Sequence, residues 1–220
     1  MRRFLRLRRW LAKWAVGLVA RLFVKVEIRG RRDIPPGPLL IACNHIGDAD
    51  PPALLHAMPE PIEYVAAADL WERPLLPPLL SFYAPIRVRR DGGLTLDTIR
   101  QVLEALERGE RVAIFPEGGI SDDAQLREAR EGVGYLALKA GVPILPVAMW
   151  GTERLFDDWR HGRRGHIVIH IGEPFRLPPL DPARRREQRA EATQRIMCEI
   201  ARLLPPAYRG VYANCVSEGE

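Results

Sequence analysis

Short apolar runs alternate with amphipathic patterns of helical period along most of the chain. The helical patterns cover 95–106 and 129–139, and each is followed by a glycine, Gly109 or Gly141, as at many helix C-termini. The alternation predicts an α/β fold, which we expect to be a single domain with a central mixed, largely parallel sheet flanked by helices. The apolar runs of strand length are 24–28, 38–43, 62–67, 86–88, 112–115, 144–149 and 167–171.

The chain is predicted to end in a long charged helix and a tail. Asp181-Pro182 is a typical helix start, and the helical pattern continues to Leu204. We expect a domain over 26–204, preceded by a separate helix over 1–25. Residues 205–220 are expected to form a loosely held C-terminal tail.

The first 25 residues carry eight arginines or lysines and no acidic residue. Their longest uncharged stretch, 14–20, is far shorter than the roughly 20 residues that cross a bilayer. This pattern predicts a basic amphipathic helix that lies on an anionic membrane surface, peripheral or monotopic, on the cytoplasmic face. A signal peptide and a core helix with a solvated basic face are the alternatives. The apolar stripe consists of Phe4, Leu7, Leu11, Trp14, Leu18 and Leu22, and the basic stripe of Arg2, Arg6, Arg9 and Lys13.

Composition adds little to this picture except through the cysteines. The 220 residues have a formal net charge of +5 and 47% hydrophobic residues, which is ordinary for a folded soluble or peripheral protein. Cys43, Cys198 and Cys215 are an odd, widely spaced set that fits no zinc-binding spacing. We therefore expect free thiols in a reducing compartment.

Candidate chemistry is concentrated in the loop 44–50, between an apolar strand and a helix start. His45 precedes Asp50 by five residues, so the carboxylate can accept the imidazole N–H while the other ring nitrogen faces a substrate. This arrangement predicts a general base with its orienting acid. The alternative is that Asp50 caps the helix that begins at Pro51 and that His45 has a structural role.

Two further groups follow strands of the same predicted sheet. Glu117, with Gly118 and Gly119, follows the strand 112–115, and the strand ends of an α/β sheet converge on one crevice. The glycines allow backbone N–H groups to approach an anion or a developing oxyanion. Arg87 and Arg90 lie in or just after the strand 86–88, and arginine binds phosphate with two parallel hydrogen bonds. A solvated turn and a charged edge strand are the structural alternatives for these groups.

Four blocks in this order resemble the glycerophospholipid acyltransferases typified by 1-acylglycerol-3-phosphate acyltransferase. They are Asn44-His45 to Asp50 (His-x4-Asp), Ile86 to Asp91, Phe115-Pro116-Glu117-Gly118, and Val142 to Val147 (Val-Pro-Ile-x-Pro-Val). The resemblance covers about 26–175. It implies acyl transfer from acyl-CoA or acyl carrier protein to a lysolipid hydroxyl on a membrane, with no metal and no other cofactor. It also implies that Glu117 and Arg90 help to hold the acceptor or its phosphate. Asn44, in the first block, is likewise expected to bind substrate, and His45 and Asp50 are expected to be catalytic.

Two neighbouring positions depart from the family pattern. Members that act on glycerol phosphates read Glu-Gly-Thr-Arg-Ser, whereas this chain has Gly119-Ile120-Ser121 after Glu117-Gly118. Ile120 cannot pair with a phosphate, so the charge comes from Arg87, Arg89 or the basic loop 160–164, or the acceptor differs. The acceptors to consider are 1-acylglycerol-3-phosphate, another lysophospholipid and a lyso-ornithine-type lipid.

The residue types favour direct transfer without an acyl-enzyme. The sequence has no Gly-x-Ser-x-Gly elbow, so His45 is expected to deprotonate the acceptor hydroxyl as that oxygen attacks the thioester. Three other functions compete with this hypothesis. They are a metallohydrolase that uses His45, Asp48, Asp50 and Glu117, a non-catalytic membrane-binding module, and nucleic-acid binding, for which the chain has no reader motif.

Overall fold

The computed structural model describes residues 2–88, 95–130 and 132–216. Within these ranges, all seven predicted strands form, each within two residues of its expected bounds. The α/β fold is confirmed: six strand pairs join one seven-stranded sheet in the order β1-β7-β6-β2-β5-β3-β4, and every pair is parallel except β6–β7. The strands are β1 Val24–Gly30, β2 Leu39–Cys43, β3 Glu63–Ala67, β4 Ile86–Val88, β5 Arg111–Ile114, β6 Ile144–Trp150 and β7 Gly165–Ile171.

Helices cover both faces of this sheet. The helix predicted over 95–106 is α4, and the final charged helix, α7, begins four residues later than expected. Two short helices, α3 and α6, were not predicted, because neither has a long amphipathic period. The α-helices are α1 Arg2–Phe23, α2 Asp50–Ala57, α3 Leu76–Tyr83, α4 Leu96–Glu107, α5 Val133–Ala140, α6 Leu155–Arg160 and α7 Arg185–Leu203, and short 3₁₀ helices occur at Ala68–Glu72, Thr152–Arg154, Pro206–Tyr208 and Gly210–Val216.

The central strand β2 determines where the site lies. All five of its residues are buried, because one core packs on each face of the sheet and successive side chains enter opposite cores. β2 lies between β5 and β6, and in this register Ala42 is level with Ile114 and Cys43 with Val147. The segments that follow β2 and β5 therefore emerge side by side at one edge of the sheet.

Helix α1 packs on the domain with the face opposite to its apolar stripe. Phe4, Leu11, Trp14 and the rest of that stripe are more than half exposed. Of the predicted basic stripe, Arg9 is buried and paired with Glu63, and Lys13 donates hydrogen bonds to the last carbonyls of α2. The expectation that these two residues meet lipid phosphates is therefore wrong. Across the described residues, no helix combines the length and apolarity that crossing a bilayer requires.

The C-terminal segment is packed against the domain, contrary to expectation. Cys198 of α7 and Cys215 form a disulfide, so two of the three predicted free thiols are paired, while Cys43 is free and buried. Tyr212 is buried, and Val211 donates its N–H to the carbonyl of Leu126. The prediction of a loose tail is therefore wrong for 205–216, and 217–220 lie outside the described residues. The pattern was misleading because this segment is short, proline-containing and without helical period.

Candidate active site

His45 and Asp50 form the predicted pair at the edge of the sheet. His45 Nδ1 lies 2.7 Å from Asp50 Oδ2, and the imidazole is 15% exposed while the carboxylate is fully buried. Because a carboxylate only accepts hydrogen bonds, Nδ1 carries the proton and Nε2 is the ring nitrogen left for a substrate. The ring is stacked on Phe115 with centroids 4.2 Å apart, which fixes its plane. The sequence contained both residues of the pair but no signal for this stacking.

Asp50 also organises the loop that carries the histidine. The same Oδ2 accepts the backbone N–H groups of Ile46 at 2.7 Å and Gly47 at 2.9 Å. The capping position of α2 is Ala49, and its side chain makes no capping hydrogen bond. The carboxylate of Asp50 therefore binds the imidazole and the loop backbone. The alternative that Asp50 is only the cap of α2 is not what the structure shows, because the cap position is Ala49.

Asn44 joins the two neighbouring strands and does not line the site. Its amide accepts the N–H of Met149 at 2.7 Å and donates to the carbonyl of the same residue at 2.8 Å. The side chain is 1% exposed and both polar atoms are used. The predicted role of Asn44 in binding substrate is corrected accordingly: it is a positioning residue that holds β2 to β6 directly before His45.

Glu117 lies beside His45, as predicted, but it binds the backbone. Its Oε1 accepts the N–H of His45 at 2.8 Å, and its Oε2 accepts the N–H of Arg127 at 3.0 Å. Only 3% of the residue is exposed, and this burial raises the pKa of Glu117 to about 7, although the two hydrogen bonds act in the opposite direction. In the described structure, Glu117 braces the histidine and does not line the cavity.

A largely apolar cavity of about 310 Å³ opens beside the imidazole. It is lined by His45, by the turn residues Gly118 and Gly119, by the three helical residues Leu76, Leu79 and Leu80 of α3, and by Val16 of α1. A volume of this size, with apolar walls and few polar groups, is typical of a small-molecule site. The contribution of α3 to the cavity could not be predicted from the sequence, because its apolar residues meet His45 and Gly118 only through the tertiary fold.

The arginines proposed from the sequence do not converge on this cavity. Arg87 is exposed, donates to the carbonyl of Ala68 and stacks on Trp71, and it is absent from the cavity lining. The loop 160–164 faces elsewhere: Arg163 pairs with Asp157 and Asp158. Arg89 and Arg90 lie outside the described residues. The arginines that do line the cavity are Arg73 and Arg130, which sequence reasoning missed.

The side chains considered as metal ligands are engaged in other contacts in the described structure. Within 2–88, 95–130 and 132–216, no group of three or more His, Cys, Asp or Glu residues is placed to hold a metal ion. Of the four ligands considered above, Asp48 pairs with Arg73 and the other three are bonded to one another or to backbone as described. The metallohydrolase hypothesis therefore lacks a ligand set here.

Comparison with known proteins agrees with the motif resemblance. The family model described as Acyltransferase matches residues 25–150, which is more than half of the chain. Over 206 residues the chain is 29% identical to the lyso-ornithine lipid O-acyltransferase of Pseudomonas aeruginosa, covering 86% of this chain and 77% of that protein. Over 202 residues it is 28% identical to a 1-acyl-sn-glycerol-3-phosphate acyltransferase of Chlamydomonas reinhardtii, covering 90% of this chain.

The chain is shorter than several of these relatives. It spans 58% of the Chlamydomonas protein and 45% of a chloroplastic 1-acyl-sn-glycerol-3-phosphate acyltransferase of Brassica napus, which is about half of each. Among solved structures, it resembles the 1-acyl-sn-glycerophosphate acyltransferase PlsC of Thermotoga maritima with a TM-score of 0.60 and 22% identity. That match covers 87% of this chain and 78% of the other, and at this identity it shows a shared fold.

Proposed function

Because the chain belongs to the acyltransferase family, we propose that it moves a fatty acyl chain from an acyl-CoA or acyl carrier protein thioester to a lysolipid hydroxyl. The first candidate acceptor is 1-acylglycerol-3-phosphate, which gives phosphatidic acid. The observation that carries the proposal is the His45–Asp50 pair, 2.7 Å apart, beside an apolar cavity. No other protein group is needed as a nucleophile.

His45 acts as the general base in this mechanism. Its Nε2 takes the proton of the acceptor hydroxyl as the oxygen attacks the thioester carbonyl, and the carboxylate of Asp50 stabilises the imidazolium that forms. The tetrahedral intermediate then collapses with expulsion of the thiolate, and the imidazolium supplies the proton that the thiolate takes up. Glu117 and Phe115 hold the base in place, which preserves the alignment that direct transfer requires.

The turn after β5 supplies a candidate donor for the oxyanion. The N–H of Gly118 is used by the carbonyl of Phe115 at 2.9 Å, whereas the N–H of Gly119 has no hydrogen-bond partner within the described chain. Gly119 lines the cavity together with His45. We assign to its N–H the role of stabilising negative charge on the thioester oxygen.

A second acceptor class is favoured by two observations. The relative from Pseudomonas aeruginosa that is named a lyso-ornithine lipid O-acyltransferase is matched over 77% of its own length, more than the plant and algal relatives. Ile120 also replaces the arginine of the glycerol-phosphate pattern. A lyso-ornithine lipid is therefore the alternative acceptor, with the same base and the same reaction.

Membrane association completes the proposal. The apolar stripe of α1 is exposed, and Leu75 and Leu79, before and within the neighbouring α3, are 90% and 57% exposed. The exposed apolar stripe of α1, together with the exposed Arg3 and Arg6 on the same helix, fits a peripheral helix on an anionic bilayer. Val16 of α1 lines the cavity, so a lysolipid would meet the site at the headgroup level.

Replacement of the base tests the enzyme hypothesis. We expect His45→Ala to lower acyl transfer about 10²–10⁴-fold, the usual contribution of a general base, while binding to phosphatidylglycerol vesicles is unchanged. The assay measures transfer of a labelled acyl chain from acyl-CoA and from acyl carrier protein to a panel of lysolipids. The matched control is His161→Ala, an exposed histidine at the C-terminal end of α6 and outside the cavity lining, which should retain full activity. Full activity of a folded His45→Ala protein would end the proposal.

A further inference from the structure

We propose that Arg130 binds the anionic group of the lysolipid acceptor, in place of the arginine that the family pattern has at Ile120. The inference rests on the proposed function and specifies its acceptor site. The bound group is an oxyanion near the acceptor hydroxyl. It is the phosphate in 1-acylglycerol-3-phosphate and the carboxylate in a lyso-ornithine lipid.

The backbone around Arg130 is attached firmly to the active-site turn. Arg130 donates its N–H to the carbonyl of Pro116 at 2.8 Å, and Arg127 donates its N–H to the buried Glu117 carboxylate. Between them, the N–H of Ala129 is bound by the hydroxyl of Tyr212 at 3.2 Å. Position 130 is thus fixed to the same turn that fixes His45, although 13 residues separate it from Glu117. These attachments also explain why α5 begins at Val133 and not at Ala129, as the sequence pattern predicted.

The Arg130 side chain crosses this turn towards the cavity. A Cβ atom placed on Gly118 would come within 2.6 Å of Arg130 Cγ and 3.2 Å of its Nε, so the side chain lies directly over the glycine. Gly118 also has φ +70°, a conformation that favours glycine. The absence of a side chain at position 118 therefore leaves the space that the Arg130 side chain occupies. Both residues line the cavity together with His45.

The charge of Arg130 is available to a ligand, unlike that of the other arginine at the cavity. Arg73 forms an ion pair with Asp48 at 3.2 Å. Arg130 is exposed, and within the described ranges no carboxylate lies within ion-pair distance of its guanidinium. A guanidinium that has no carboxylate partner among the described residues, and that lines the same cavity as His45, suits a phosphate or carboxylate, which it binds with two parallel hydrogen bonds. In 1-acylglycerol-3-phosphate the phosphate is carried by the carbon next to the one bearing the reacting hydroxyl, so both groups would lie in one cavity, which Arg130 and His45 line together.

Steady-state kinetics of Arg130→Gln test the assignment. We expect the KM for 1-acylglycerol-3-phosphate or lyso-ornithine lipid to rise about tenfold to a hundredfold, the loss of a charged hydrogen bond, with the donor KM unchanged. The acceptor whose KM rises identifies the anion as phosphate or carboxylate. Arg130→Lys, which keeps the charge but not the fork, should lie in between. Arg186→Gln, an equal charge change at an exposed position of α7, is the matched control and should leave both constants unchanged.

Three outcomes overturn the inference while the proposed function stands. They are an unchanged acceptor KM, an equal rise for an uncharged monoacylglycerol, and a rise confined to the donor KM, which would place Arg130 at the donor's phosphates. If the wild-type protein transfers acyl chains to no lysolipid, the proposed function fails instead. Arg130 is then tested by calorimetric titration with 1-acylglycerol-3-phosphate, and equal affinity of the wild-type protein and Arg130→Gln counts against the assignment.

Discussion

The carboxyl group of Glu117 sits in an environment that opposes its charge. Burial raises its pKa to about 7, while the N–H groups of His45 and Arg127 stabilise the ionised form. A protonated carboxyl offers one acceptor fewer to these two donors, so one of the two attachments is weakened near neutral pH. The residue that fixes the backbone of His45, the proposed base, is therefore expected to change protonation near neutral pH.

This sensitivity gives a stability profile with a defined sign. Because the pKa is raised from its ordinary 4.5 to about 7, the folded state holds the proton more tightly than the unfolded chain. The contribution of Glu117 to the free energy of unfolding is greatest below pH 4.5. It falls by about 3 kcal/mol in total as the pH rises to about 7. Urea unfolding of the wild-type protein and Glu117→Gln between pH 4.5 and 8 measures it. We expect the difference between the two unfolding free energies to shift in favour of Glu117→Gln with rising pH, and parallel profiles would contradict the assignment.

Helix α1 shows which part of an amphipathic pattern a sequence can reveal. Its apolar stripe was predicted residue by residue and is exposed, but the basic stripe divides between solvent and protein. Arg9 lies against β3 and α3, where it donates to Glu63 at 2.5 Å and to the carbonyls of Tyr83 and Ala84. Periodicity places Arg9 on a face of the helix, but it contains no information about the acid 54 residues away that meets that face.

Removing Arg9 from its buried pair with Glu63 should destabilise the protein far more than removing the exposed Arg6. Both side chains are 6% exposed, and removing one member leaves a buried charge unpaired, so we expect Arg9→Ala to cost about 3–5 kcal/mol in urea unfolding. Arg6→Ala is the matched control, because Arg6 is 71% exposed and 4.0 Å from Glu60. It should change stability by at most about 1 kcal/mol. Equal effects of the two substitutions would show that the buried pair does not hold α1 to the domain.

Across the whole molecule, the sequence predicted what depends on local pattern. The strands and the α/β class were predictable because apolar runs alternate with helical patterns along the chain. The His45–Asp50 pair was predictable because only five residues separate its members. The contacts that complete the site join distant segments: Glu117 with Arg127, Arg130 with Gly118, and Cys198 with Cys215. These depend on how the loop after β5 and the C-terminal segment fold back, which no local period encodes.

The exposed apolar surface formed by α1 and α3 gives a prediction at the same scale. Replacing Trp14 and Leu18 together by serine should lower partitioning onto vesicles of equal phosphatidylglycerol and phosphatidylcholine at least about tenfold, since each side chain buries apolar area in the bilayer. Leu96→Ser with Val211→Ser is the matched control, because these residues are 80% and 62% exposed on other elements. Co-sedimentation measures both. Undiminished partitioning of the first variant would remove α1 as the membrane contact.

Helix α1 ends at Phe23 and β1 begins at Val24, so no tether separates the surface helix from the sheet. Arg164 stabilises the junction by donating hydrogen bonds to the carbonyls of Arg21 and Val24, one on each side of it. Because of this direct and hydrogen-bonded connection, α1 and the domain should not rotate freely relative to each other. If α1 lies on a bilayer, the rest of the molecule therefore has one fixed orientation above the membrane plane. The cavity beside the imidazole would then face each entering lipid in the same orientation.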